Sequence, residues 1–565
     1  MNRTASALAA RLGALRGYES RLCHRLATGF DVRLICLGLT LLLTAGCRQS
    51  FEPADIVIIN GGEPESLDPA IITGQPDGRA VGALFEGLVR FNAKTATPEP
   101  AIAERWDVSP DGLVYTFHLR TNAAWSTGEP ITAEDFVYSW RRVADPATAS
   151  DYAGQLYFVK NAEAINTAQT NAATGKRYAP EELGVAAVDQ RTLRVELVAP
   201  TPFFLDLCAF RTLAAVPRWW IEKHGDRWIM EQPLPTSGPY TLDYWRIQDR
   251  IRVRKNPRYW DAANTRNNLV DLMPMENANT ALNLFLTGQA DIIWDKNLIP
   301  VELMDVLSKR PECHVFDYLG TYFVRFNVTK KPFDDVRVRK ALALVIDKRR
   351  IVERLTRSGE KTASCLTPPG TAGYEAPEGL GYDPDLARKL LAEAGYPGGK
   401  GFPTFNYLFN TAKQHESIAV ELQQRWKTEL GINMELRQVE WKVYLSDQSK
   451  LNYDTSRSSW IGDYNDPNTF LDMFMSNNGN NRTGWKSARY DELIRQGNSQ
   501  QDKAKRAALL REAETILVRD EVPIAPLYFY VGVNFRQPDI EGVYDNILDE
   551  HPLYTIKKKS VVRGR

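Results

Sequence analysis

Apolar and polar positions alternate in several short stretches of the chain. Tyr115, Phe117 and Leu119 are separated by polar residues, as are Leu193, Val195 and Leu197, and Ile251 and Val253. A period of two sends one set of side chains to a single face, so these stretches predict half-buried strands. Tyr322 to Val328 (YFVRFNV) predicts another. A helical period takes over in the second half. Val338, Ala341, Leu342, Val345 and Ile346 share one helical face behind Asp334 or Asp335, either of which can cap the first turn. Asp383-Pro384 opens a second helix, with Leu386, Leu390 and Leu391 on one side and Gly395 as its stop. Ala419 to Leu430 and Lys503 to Leu517 predict two more. There is no internal repeat of solenoid period. The pattern predicts an α/β chain with mixed sheets and with helices concentrated after residue 330.

One apolar run does not belong to a folded core. Leu34 to Gly46 reads LICLGLTLLLTAG, follows Arg33 and ends in small residues. Thirteen residues fall short of the roughly 20 that span a bilayer, and the flanks are those of a secretory signal. Cys47 follows at once, so that Leu43-Thr44-Ala45-Gly46-Cys47 resembles a bacterial lipobox, which implies lipidation of Cys47. An ordinary signal peptide with an incidental Cys is the alternative. Residues 1–47 are therefore expected to be an export signal. The expected location is periplasmic or on the extracytoplasmic face, as a membrane-anchored lipoprotein.

Composition narrows the chemistry. The 565 residues carry 70 basic and 70 acidic side chains. No basic stripe marks a nucleic-acid partner. The 13 Trp and 23 Tyr suit thick cores or a cleft with apolar walls and polar tips. The six Cys form no CxxC pattern, and the six His do not pair at metal-ligand spacing. No nucleophile elbow occurs. Gly395 to Gly401 (GYPGGKG) lacks the spacing and the Ser or Thr of a phosphate loop and reads as a turn. The expectation is a protein that is not an enzyme and uses no metal and no cofactor.

Four stretches carry more information. They are Gly61 to Pro69 (GGEPESLDP) with Leu84 to Val89 (LFEGLV), Ala103 to Trp140, Pro332 to Leu342 (PFDDVRVRKAL), and Trp460 to Phe470 (WIGDYNDPNTF). In this order they resemble the oligopeptide-binding proteins of ABC importers, within the extracellular solute-binding family that also holds dipeptide and nickel binders. The resemblance runs from about Ile56 to Thr555. It implies a two-lobed, periplasmic-binding-protein-like fold with a hinge and three domains. Domain I is expected at 48–76, 195–305 and 515–565, domain II at 77–194, and domain III at 306–514. The implied partners are short peptides and an ABC permease in the inner membrane, with membrane contact only through the lipid. A monomer is expected.

The resemblance also implies site residues. Asp463 matches the family Asp that holds a peptide's α-amino group; by itself it equally fits a turn cap beside Asn465 and Pro467. Arg457 and His415 match residues that meet the carboxylate end of some peptides. An exposed ion pair and a helix-cap or core histidine are the alternatives. Glu63 to Glu65 and Ser458 to Gly462 match segments whose backbone contacts the peptide backbone, with Glu63, Glu65, Ser458 and Gly462 as the candidates. Trp441 and Trp460 match aromatics near side-chain pockets, with core packing an alternative for Trp441. One departure stands out. Well-studied relatives carry a disulfide at the lobe crossing, and the two places are held here by Gly320 and Ile461.

Overall fold

The computed structural model describes residues 52–559, without the side chains of Val301, Trp441 and Lys442. The export signal and Cys47 lie outside the described residues, as does the Trp441 side chain.

Eleven strands form one mixed sheet. Two of them are much longer than the rest: Cys313–Phe326 and Ile524–Arg536, which run antiparallel. At one end Cys313 to Asp317 pair with Val531 to Phe535, and the sheet continues through Ile292–Ile293, Ile56–Gly61, Leu269–Pro274, Arg250–Lys255 and Tyr240–Arg246. At the other end Thr321 to Arg325 pair with residues 524–529, and the sheet continues through Thr455–Ile461, Phe405–Asn410 and Met434–Val439. The ladder between the long strands is irregular between Asp317 and Thr321.

The packing changes at the same place. Val531, Val533 and Phe535 share a cluster with Ile59 and Ile293. Tyr322, Val324, Phe326, Ala525, Leu527 and Tyr528 belong to another, with Phe405 and Trp426. The strand pair thus leaves one core and enters a second, which makes the molecule two-lobed. A break in the ladder between two cores is where a hinge can bend without unpacking either.

The predicted strands form as Val114–Leu119, Thr192–Glu196 and Arg250–Lys255. The first two lie in a separate four-stranded antiparallel sheet with Ala103–Val108 and Val185–Asp189. Tyr115, Phe117 and Leu119 are buried, as the alternation requires. Above them packs the helix Ala133–Ala144, started by a capping box of Thr132 and Asp135. It buries Phe136, Trp140 and Val143, and the Trp140 indole N–H donates to the Leu213 carbonyl at 3.0 Å. Full burial of such a ring contributes on the order of 2–3 kcal/mol provided the N–H is satisfied.

Asp335 caps Val336–Leu344 and Asp383 caps Pro384–Glu393 through side-chain bonds to Arg337 N–H and Leu386 N–H. Helices are not confined to the region after residue 330. Gln75–Leu84, Ala133–Ala144 and Ala278–Leu286 precede it. The helix expected at Ala419 begins earlier, as Lys413–Leu430, because its first turn is polar and shows no apolar period.

Candidate functional site

The Thr455–Ile461 strand carries Arg457, Ser458 and Trp460, and Gly462 and Asp463 follow it directly. One edge pairs along its whole length with the long Cys313–Phe326 strand, from Phe326 opposite Thr455 to Gly320 opposite Ile461. The other edge pairs with Phe405–Asn410 only at Thr455 and Ser456. Beyond Ser456 no further strand pairs with that edge among the described residues. Tyr444 O–H and Gln448 N–H reach the Arg457 carbonyl at 2.8 and 2.9 Å, and an open edge follows.

Arg457 stands where the open edge begins. It is buried and is no exposed ion-pair residue: among the described residues no carboxylate lies within ion-pair distance. One terminal nitrogen donates to Tyr444 Oη at 3.1 Å and the other to His415 Nε2 at 3.0 Å. Its Nε is buried without a partner. His415 lies in the first turn of Lys413–Leu430, with Tyr322 Oη 3.4 Å from Nδ1. Burial, reinforced by the Arg457 charge, pushes its pKa down to about 3, so the ring is neutral and Nε2 can accept. This end of the strand therefore holds one desolvated cation with no counter-ion.

Asp463 follows the other end. The local turn is capped by Asp466, which accepts from Asn468 N–H, and not by Asp463. Asp463 donates its own backbone N–H to Thr469 Oγ1 at 3.1 Å. Its carboxylate has Gln155 near enough to favour the charged form and pairs with no Lys or Arg among the described residues. Burial pushes its pKa up to about 6. Other acids stand close. Asp472 is raised to about 7 by burial and by Asp463 and Asp466, and Asp206 to about 7 by burial and by Asp466. Of these acids, Asp466 alone has its own cation among the described residues, a two-pronged pair with Arg506 at 2.7 and 2.8 Å. Phe203 stacks on Tyr464 at 4.8 Å and 10° beside this cluster. Asp463 opens into a cavity of about 340 Å³ bordered by Tyr152, Tyr318 and the Arg79–Asp549 pair.

The remaining expected residues divide. Gly462 gives its N–H to the Leu319 carbonyl at 2.8 Å, and any Cβ there would stand 2.6 Å from the Leu319 side chain. Ser458 is buried on the strand, and Trp460 packs against the cluster of Leu319, Phe323 and Phe470, with its Nε1 buried and unpartnered. The Glu63 carboxylate is already held by Trp245 Nε1 at 2.7 Å and Gln248 N–H at 2.8 Å. Glu65 is exposed and gives its N–H to Asp77 at 2.6 Å. Neither Glu63 nor Glu65 borders the Asp463 cavity. Sequence reasoning missed Tyr152 and Gln155, which lie in DYAGQLYF, a stretch without helical or strand period. It also missed Tyr444, although YLSDQ lies at helical spacing within Trp441–Ser449.

Together these elements make a ligand-clasping protein: among the described residues, a strand edge left without a partner strand, with an acid at one end and a cation at the other that have no counter-ion. Comparison with known proteins places the class. Residues 97–482 match the model of the bacterial extracellular solute-binding proteins, family 5 Middle. The periplasmic oligopeptide-binding protein OppA of Salmonella typhimurium is 38% identical over 549 residues, covering 93% of this chain and 98% of that protein. The solved structure of the Escherichia coli murein tripeptide binding protein MppA has a TM-score of 0.76 at 34% identity, over 90% of this chain and 99% of that one. Haemophilus influenzae OppA in complex with RPPGFSPFR has a TM-score of 0.73 at 32% identity, over 90% and 99%. The chain belongs to the bacterial extracellular solute-binding proteins, family 5.

Proposed function

We propose that this protein captures short peptides by both ends and presents them to an ABC permease without chemical change. The observation that carries this reading is the open edge of Thr455–Ile461 between the unpaired Asp463 and Arg457. An extended peptide offers the edge its backbone groups whatever its side chains. Its ammonium goes to Asp463 and its carboxylate to Arg457. The six residue steps from Arg457 to Asp463 span about 20 Å of extended chain. Side chains reaching inward from both ends shorten that span, which suits a peptide of a few residues. In this reading the lobes divide as 48–76, 195–305 and 515–565 with 77–194 on one side, and 306–514 on the other. The protein acts as a monomer. Wall-derived peptides are the alternative cargo, because a murein tripeptide binder is among the structures similar to this one.

The test is titration calorimetry with an alanine tripeptide and its N-acetyl form. The acetylated peptide is expected to bind at least about 100-fold more weakly, as when one partner of a buried charge pair is removed. Equal affinities would refute the reading.

Membrane attachment belongs to the same reading. Cleavage before Cys47 and diacylation give two acyl chains, enough for stable anchoring where one chain gives only marginal binding. Mass spectrometry of the protein from its host should find a lipid-modified peptide starting at Cys47. An unmodified mature terminus elsewhere would remove the anchor from the account.

A further inference from the structure

A second cation beside the open edge also lacks a counter-ion. Arg325 lies on the Cys313–Phe326 strand opposite Ser456 and is 3% exposed. Its Nε donates to Ser458 Oγ at 3.0 Å and Nη1 to the Asn480 carbonyl at 2.9 Å. Nη2 has only the Met473 thioether, at 3.8 Å, which is a weak acceptor. The rings of Phe323 and Phe474 lie 5.5 and 5.8 Å away. Arg482 stands near enough to repel it, and the Arg482 Nε is buried with no partner. Among the described residues neither guanidinium has a carboxylate within 4 Å. Burial pushes the Arg325 pKa down to about 10, and Arg482 and Arg457 add to the effect.

Three other enclosed arginines have carboxylates, whereas Arg339, equally buried, has all three of its nitrogens on backbone carbonyls. Arg252 has Asp271 at 2.6 Å, Arg142 has Asp68 at 2.5 Å, and Arg506 has Asp466 at 2.7 Å. A buried charge left without one is costly. The position of Arg325 indicates what is missing. Side chains alternate between faces along a strand, so Ser458 and Arg457 point to opposite sides. A peptide laid on the open edge alternates in the same way. One of its side chains, beyond the first residue, then lies on the face that Ser458 shares with Arg325.

We infer that Arg325, backed by Arg482, is a specificity-determining site for an acidic side chain, Asp or Glu, of the bound peptide. This rests on the peptide reading above. A planar fork with one arm held only by a thioether suits a carboxylate and rejects a lysine.

The experiment is calorimetry of alanine tripeptides carrying Glu, Gln or Lys at the second or third position. The wild-type chain is expected to favour Glu over Gln by about tenfold or more at one position. Arg325→Gln is expected to bring that ratio to within about twofold while still binding trialanine. If Arg325→Gln does not fold, Arg482→Gln on the half-buried partner is expected to reduce the same ratio. A wild-type ratio near one at both positions overturns the inference, as does an unchanged ratio in a folded Arg325→Gln. Thermal stabilisation by sodium phosphate alone, lost in Arg325→Gln and without any Glu preference, assigns the pair to a small ion and also overturns it. Failure of every tripeptide to bind would instead remove the peptide reading itself.

Discussion

Asp463→Asn binds free-amine peptides at least about 100-fold more weakly than the parent chain and folds normally. The substitution keeps the shape and removes only the charge, and the lost pairing of a desolvated ammonium is worth about 2–5 kcal/mol. The pH dependence follows from the same group. Burial raises its pKa to about 6, whereas a free α-amine titrates near 8. The peptide stays cationic on acidification while Asp463 takes up a proton. Affinity should therefore be level between about pH 6 and 8 and fall by about tenfold for each unit below that range. Asp463→Asn should show no such step. The sign for folding is opposite. A carboxyl with a raised pKa favours the folded state when protonated, and that contribution is lost as pH rises through about 6. Weakened binding in acid is thus not unfolding at this residue. Calorimetry of both proteins at about pH 5 and pH 7.5 checks this; a parent chain with the same affinity at both would sink the assignment.

Arg457→Met should cost short peptides about 30- to 100-fold in affinity and erase any preference for a free carboxylate over a C-terminal amide. Stability should not fall. Removing a buried cation that has no counter-ion and replacing it with a flexible apolar side chain is often neutral or stabilising. His415 keeps Tyr322, and Tyr444 keeps its bond to the residue-457 carbonyl. Binding of a tripeptide and its amide, with a thermal melt of each protein, separates the two effects. A retained preference for the carboxylate would place that end of the peptide elsewhere.

Much of the architecture was legible because local patterns agree with it. The alternation at Tyr115, Phe117 and Leu119 lies on a sheet with one covered face, where period two has meaning. YFVRFNV was read as a strand, but its alternation could not mark Arg325. That strand is central, both faces are covered, and a charged residue in it reads as solvent-facing when it is buried. Asp463, Arg457 and His415 entered through resemblance, and the structure puts Arg457 and His415 in contact. Their lack of counter-ions is a three-dimensional property that no spacing encodes. Glu63 and Glu65 show the opposite limit. The resemblance offers the backbone of this segment to a peptide, but no spacing tells that the Glu63 carboxylate and the Glu65 N–H are held by Trp245, Gln248 and Asp77, residues as far as 185 positions away.

The contact between Gly320 and Ile461 has a practical consequence. The two stand opposite each other where the lobes meet, and the Ile461 methyl occupies the notch left by the missing side chain, 2.5 Å from where a Cβ would sit. A hydrocarbon plug fills this place, and Cys208, Cys313 and Cys365 are all free thiols. The described body therefore holds no disulfide to form or reshuffle, and production in a cytosol kept reducing by glutathione should deliver its binding-competent fold.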